Sequence, residues 1–157
     1  MSPATPLAQL KTLREETQAP LLECRAALEE AAGDLERARA ILRDRGQAVS
    51  AQRAGKTARE GRIEAYVHLG KIGVLVEVNC ETDFVAKTPE FAAFCKDVAM
   101  QVAAQSPASA NALLAQPCIK DAALTVRDYL NSLVAKTGEK IVISRFTRFQ
   151  LGDGSGA

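Results

Sequence analysis

The side chains best suited to covalent or acid–base work in this 157-residue sequence are four cysteines, one histidine and the carboxylates around residue 80. A thiolate nucleophile needs a base within hydrogen-bond reach, and only Cys80 with His68 lies in a stretch where that is conceivable. His68 closes one strand-like segment and Cys80 the next, with Gly70-Lys71 as the turn between them. In that hairpin His68 pairs near Gly73, several residues from Cys80, so a Cys–His enzyme is not expected. Glu81 and Asp83 are the acid–base candidates, and strand alternation is expected to send their side chains apart. Cys24, Cys80, Cys95 and Cys118 show no CxxC spacing, and with one histidine no metal site is signalled. They read as free thiols packed as small hydrophobes. No HExxH, GxSxG or GxxxxGK[ST] motif occurs, and the glycines of the tail GDGSGA open no helix that could cradle phosphate. The expectation is a protein with no catalytic residue, no metal and no cofactor of its own.

Two apolar residues stand where a plain globular chain has no need of them. In VNCETDFVA (78–86) a hydrophobic strand runs into three polar residues and then Phe84. Either Thr82 or Asp83 caps a helical turn and Phe84 plugs the core, or the capped turn holds Phe84 out as an anchor for a partner. Leu22 is the second case. On its helix Leu21, Cys24 and Leu28 share the buried stripe, while Leu22 shares the other side with Arg25, Ala26 and Glu29.

The elements that must position these residues follow from periodicity. Pro6 and Pro20 mark helix starts, with Leu7, Leu10 and Leu13 on the first stripe. Gly33-Asp34 ends the second helix and caps a third, carried by Leu35, Ala38, Ile41 and Leu42 to Gly46. Residues 1–46 thus read as a three-helix module, and the small, polar stretch 47–60 as a connector, conceivably a solvated helix. A hairpin follows, with Ile63, Ala65 and Val67 on one face of its first strand and Ile72, Val74, Val76 and Val78 on one face of the second. Thr88-Pro89 opens a helix with Phe91, Phe94, Cys95, Val98 and Val102 inward. Residues 106–117 read as irregular, 121–137 as a helix closed by Gly138, and 140–151 as a strand whose broken alternation suggests a bulge. The fold class is α+β: helical module, then a core over 61–152 in which an antiparallel three-stranded sheet packs with helices, then a disordered tail at 153–157.

Composition bounds the partners. A net charge of +1 disfavours a general polyanion binder. Arg53, Lys56, Arg59 and Arg62 could touch RNA, but without interleaved aromatics they read as a solvated face. No apolar run spans a bilayer and the first residues lack a signal peptide's pattern; a cytoplasmic protein is expected.

VNCETDFVAK, preceded by YVHLGKIGVLVE, resembles the signature of the elongation factor Ts family, whose other signature is similar to LREETQAPLLECRAAL (13–28). KTGEKIVISRFTRF near the end is similar as well, so the likeness spans about Leu7 to Leu151. The resemblance implies a ubiquitin-associated-like helical module, a sheet-and-helix core, and guanine nucleotide exchange on elongation factor Tu. It implies that Thr82, Asp83, Phe84 and Val85 enter the partner's nucleotide domain beside its magnesium and phosphates. It also implies that Leu21 and Leu22, with Arg14 nearby, dock on the same domain. Some short members dimerise to complete the surface that receives the partner, so a homodimer is among the expected states. The chain departs from the family at Pro20 (usually Gly), at Arg25 (usually Lys) and in having fewer residues around 106–117. A docking adaptor without exchange activity is the alternative.

Overall fold

Residues before and after each helix set the N-terminal half. The computed structural model describes residues 6–154; the five residues before them and 155–157, most of the expected tail, lie outside the described residues. Pro6 and Pro20 stand immediately ahead of α1 (Leu7–Thr17) and α2 (Leu21–Glu30), as N-caps and not as the first helical residue. Gln18, at φ 55°, ends α1, and Gly33, at φ 83°, leads to Asp34, whose carboxylate accepts from Arg37 N at 3.1 Å and starts α3 (Leu35–Arg53). Leu13, Cys24, Ala27, Leu28, Ala31 and Ala38 form a small core of their own.

Gly46 does not end the third helix. Helix α3 continues to Arg53, through the stretch expected as a connector. The glycine is there for close approach: a Cβ on it would lie 3.2 Å from the Asn131 carbonyl oxygen. One turn later Ser50 Oγ meets Asn131 Oδ1 at 2.7 Å. The small and polar residues of 46–53 are the face that seats α3 on the second half of the molecule.

Strands β1 (Glu60–His68), β2 (Ile72–Cys80) and β3 (Val142–Gln150) form an antiparallel sheet in that order, β2 central. Lys71 N donates to His68 O at 2.9 Å across Leu69 (φ 52°) and Gly70 (φ 66°). Leu69 and Gly70 are both left-handed, the backbone that matches strand twist, and Lys71 completes a three-residue loop between the strands. With three residues in the loop, His68 pairs with Ile72, one position from the expected Gly73. The bulge expected in the last strand is present: Glu77 pairs with Arg145 and Val78 with Ile143, leaving Ser144 unopposed.

Four helices cover one sheet face or its margins: α4 (Asp83–Ala86), α5 (Pro89–Gln105), α6 (Ala110–Ala115) and α7 (Val126–Thr137). The stretch read as irregular holds α6, capped by the Ser109 hydroxyl. The last helix begins at Val126 and not near Asp121. Thr125 and Asp128 form a reciprocal capping box, and Cys118 N to Leu124 O and Val126 N to Gln116 O hold 116–126 as a loop. Val74, Val76 and Val78 pack under Phe91, Phe94, Val98 and Val102 in the main core. The opposite sheet face is also apolar, which is unusual for a solvated antiparallel face. Ile63 and Val67, expected to share a face, lie there exposed with Leu75 and Phe149. Val67, Gly73 and Phe149 stand abreast across the three strands. Among the described residues no helix is long and apolar enough to cross a membrane.

Candidate protein-docking site

Strand β2 delivers the chain to a buried Cys80, whose thiol donates to the Thr82 carbonyl at 3.1 Å. Thr82 is extended (φ −126°, ψ 155°), and its hydroxyl accepts from Val85 N at 3.4 Å to cap the single turn of α4. The same residue is gripped from across the molecule. Glu139 Oε1 accepts from Glu81 N at 3.1 Å and Thr82 N at 3.0 Å, and Oε2 accepts from the Thr82 hydroxyl at 2.7 Å. Asp83, in the first turn where a carboxylate complements the free N–H groups, takes Lys87 Nζ at 2.8 Å. That ammonium holds the Asp83 carboxyl below its usual range, and the carboxylate in turn raises the Lys87 amine. Val85 and Ala86 pack against the main core. Phe84 is 82% exposed. The turn therefore anchors itself by Thr82 and Val85 and sends Asp83 and Phe84 outward, which excludes the core plug.

The second projection is the first turn of α2. Leu22 is 77% exposed, on the side expected. Leu21 departs from expectation: at 47% exposed it stands out of the buried stripe, which begins at Cys24. A stripe is buried only where another element faces it, and the module's core of Leu13, Cys24, Ala27 and Leu28 starts one turn further on. Arg14 is exposed on α1, and its charge acts on the Cys24 thiol, next to this turn.

The groups capable of chemistry are kept apart or occupied. His68 and Cys80 lie at opposite ends of the β1–β2 hairpin, where their partners are Ile72 and Glu60. His68 Nδ1 is 2.9 Å from the Tyr66 hydroxyl. Burial pushes the thiols of Cys80 and Cys118 up to about 11 and that of Cys95 to about 12, so none is a ready nucleophile. Glu81 pairs with Arg53 at 2.5 Å while Asp83 pairs with Lys87. Strand alternation is not what parts the two carboxylates, since residues two apart on a strand share a face; the chain leaves the strand between them. Arg62 bonds Glu64 at 2.7 Å, so both Arg53 and Arg62 are engaged internally. No group of three metal-ligating side chains occurs among the described residues. A cavity of about 380 Å³ opens between α5, α7 and the 116–126 loop, away from Phe84 and bordered by Asp97, Cys118 and Tyr129.

Glu139 was not singled out from the sequence, although it lies in KTGEK, a stretch noted there only for its likeness to the family. The helix end at Gly138 (φ 70°) is where the sequence puts it, but the contact it gives Glu139 with residues 81 and 82 is distant in sequence and no periodicity foretells it.

An exposed ring on an anchored turn and a pair of exposed leucines are what this α+β fold presents to a protein partner's surface. The elongation factor Ts family model matches residues 81–156, beginning at the turn itself. Elongation factor Ts of Rubrobacter xylanophilus is 41% identical over 194 aligned positions, covering 94% of this chain and all of that protein. That of Carboxydothermus hydrogenoformans is 44% identical over 191 positions, covering 92% and 88%, and that of Caldanaerobacter subterraneus 42%, covering 92% and 96%. The chain belongs to the elongation factor Ts family. The alignments are longer than the chain, so these relatives carry residues that it lacks.

Proposed function

We propose that this chain is the guanine nucleotide exchange factor of elongation factor Tu, acting in translation elongation in the cytoplasm. The observation that carries the reading is Phe84: a large ring 82% exposed at the tip of an anchored turn, within a chain of this family. Bound GDP in such a partner is held by Mg²⁺ and by backbone donors around its phosphates. The Thr82–Val85 turn enters beside them, Phe84 as a wedge and Asp83 as an anion close to the metal's ligands. Shifting those ligands weakens Mg²⁺ and with it GDP. By linkage GDP weakens the exchange factor to the same extent, and incoming GTP expels it. No bond is made or broken, so the protein is not an enzyme, and the metal and nucleotide belong to the partner.

The parts divide the work. The module over 1–46 docks through Leu21, Leu22 and Arg14, and the core over 61–152 carries the wedge. Direct nucleic-acid contact is not part of the reading, since Arg53 and Arg62 serve internal pairs. A second copy is expected on the outer sheet face, where Ile63, Val67, Leu75 and Phe149 lie exposed together, the kind of contiguous apolar patch that marks an interface.

The test is release of a fluorescent GDP analogue from elongation factor Tu, chased with excess GTP, with and without this chain. Acceleration supports exchange. Binding with no acceleration would contradict it and favour the adaptor.

A further inference from the structure

Helix α4 cannot orient Phe84 unaided. It is four residues long with no buried residue, far below the length at which a helix persists by itself. Its direction has to be imposed from outside, and the densest set of bonds at its entry comes from one side chain remote in sequence. We infer that Glu139 is a positioning residue for the Thr82–Val85 turn, setting the angle at which Phe84 is presented; this rests on the exchange reading above.

Three features carry the inference. First, both oxygens of one carboxylate are used on consecutive residues: two backbone N–H groups on Oε1 and a hydroxyl on Oε2. Bonds to a charged acceptor are the stronger kind, and three from two residues fix a peptide plane as well as a distance. Second, the grip is passed on. With its proton donated to Glu139, the Thr82 hydroxyl offers a lone pair to Val85 N, so the carboxylate decides which way the N-cap faces. Third, Glu139 is itself held. It follows Gly138, which closes α7 in the left-handed region, and its own N donates to the Thr137 hydroxyl at 3.4 Å. Glu81, the nearer carboxylate, cannot substitute because it is turned to Arg53. A chain lacking this clamp keeps its sheet and helices but lets the turn swing. Misplacement of a group by an ångström is enough to cost large factors in rate.

The experiment compares Glu139→Ala and Glu139→Gln with the wild-type chain in two measurements. One is amide hydrogen exchange of Glu81 and Thr82 in the free chain. The other is GDP release from elongation factor Tu over a range of chain concentrations. Glu139→Ala is expected to lose protection at those two amides and to lower the saturating release rate at least about fivefold, with little change in half-saturating concentration. Glu139→Gln keeps an oxygen for both N–H groups and is expected to restore protection and most of the rate, a rescue that lost packing alone would not give. Should Glu139→Ala fail to fold, Thr82→Val removes the hydroxyl that bonds Glu139 together with its cap on Val85 N and leaves the two N–H bonds to Glu139. Amide protection at Glu81 and Thr82 is then expected to persist while the saturating rate falls, and lost protection there would overturn the clamp. Unchanged amide protection in Glu139→Ala, or lost protection with a wild-type rate, would overturn the inference. A wild-type chain that releases no GDP overturns the exchange reading instead, and the amide measurement still decides whether Glu139 holds the turn.

Discussion

The two apolar projections are built in opposite ways. Leu21 and Leu22 sit on the first turn of α2, behind a proline N-cap that makes no side-chain bond. Phe84 sits on a turn capped by Thr82, clamped by Glu139 and bridged from Asp83 to Lys87. A pair of leucines lying on a flat partner surface gains its energy from area removed from water, which tolerates some latitude in angle. A ring that displaces metal ligands, as proposed for Phe84, would work only along one direction, and the polar bonds are concentrated at that turn. On the proposed reading the difference makes affinity and exchange separable: the module would hold the partner and the core turn would act on it.

The phenylalanine that the fold needs gives the largest contrast. Phe94 is fully buried, edge to Tyr129 with ring centroids 4.9 Å apart. Phe94→Ala should cost about 3–5 kcal/mol of stability in denaturant unfolding, against about 0.5 kcal/mol or less for Phe84→Ala. A large stability loss at Phe84 would mean that the ring serves the core after all. Next comes docking. Replacing Leu21 and Leu22 together by Ala should raise the half-saturating concentration for exchange roughly tenfold, the scale of one modest interface anchor, and leave the saturating rate in place. A fall in the saturating rate would break the separation of roles.

Alkaline pH probes what lies beneath each projection, Cys80 under the Phe84 turn and Cys24 under the α2 turn. Burial raises both thiols above the ordinary 9.0, Cys80 to about 11. A raised value means that the folded state prefers the protonated thiol. The contribution is whole below pH 9.0 and is lost as pH climbs toward about 11. Stability measured by unfolding should therefore decline above pH 9, and Cys80→Ser should flatten that decline. The smallest effect belongs to the Asp83–Lys87 pair, which is solvent-exposed: Lys87→Ala should change the exchange rate by less than about twofold, as exposed pairs usually do.

Much of this was legible in the residues. Thr82 ahead of Asp83-Phe84, Thr88 ahead of Pro89 and the broken alternation of 140–151 announced two caps and a bulge, because caps and alternation are local. What escaped depends on partners distant in sequence. Gly46 reads locally as a helix stop, but its use is set by Asn131, eighty-five residues on, whose carbonyl leaves no room for a side chain without a shift. Leu21 shared a period with Cys24, but periodicity does not say where the facing helix ends. Whether Phe84 turned in or out could not be decided from its neighbours, since the answer hangs partly on Glu139, fifty-five residues away. The α2 leucines and the TDFV turn gained a shared purpose only through the family resemblance.

The most direct test is the saturating rate of GDP release from elongation factor Tu, measured with the wild-type chain and with Phe84→Ala at concentrations beyond half-saturation for each. Strong acceleration by the wild type is expected, with a loss of roughly thirtyfold in the variant, the scale of a hot-spot side chain, and half-saturation nearly unchanged. Equal saturating rates for the two chains would contradict this and move the cause of exchange away from the wedge.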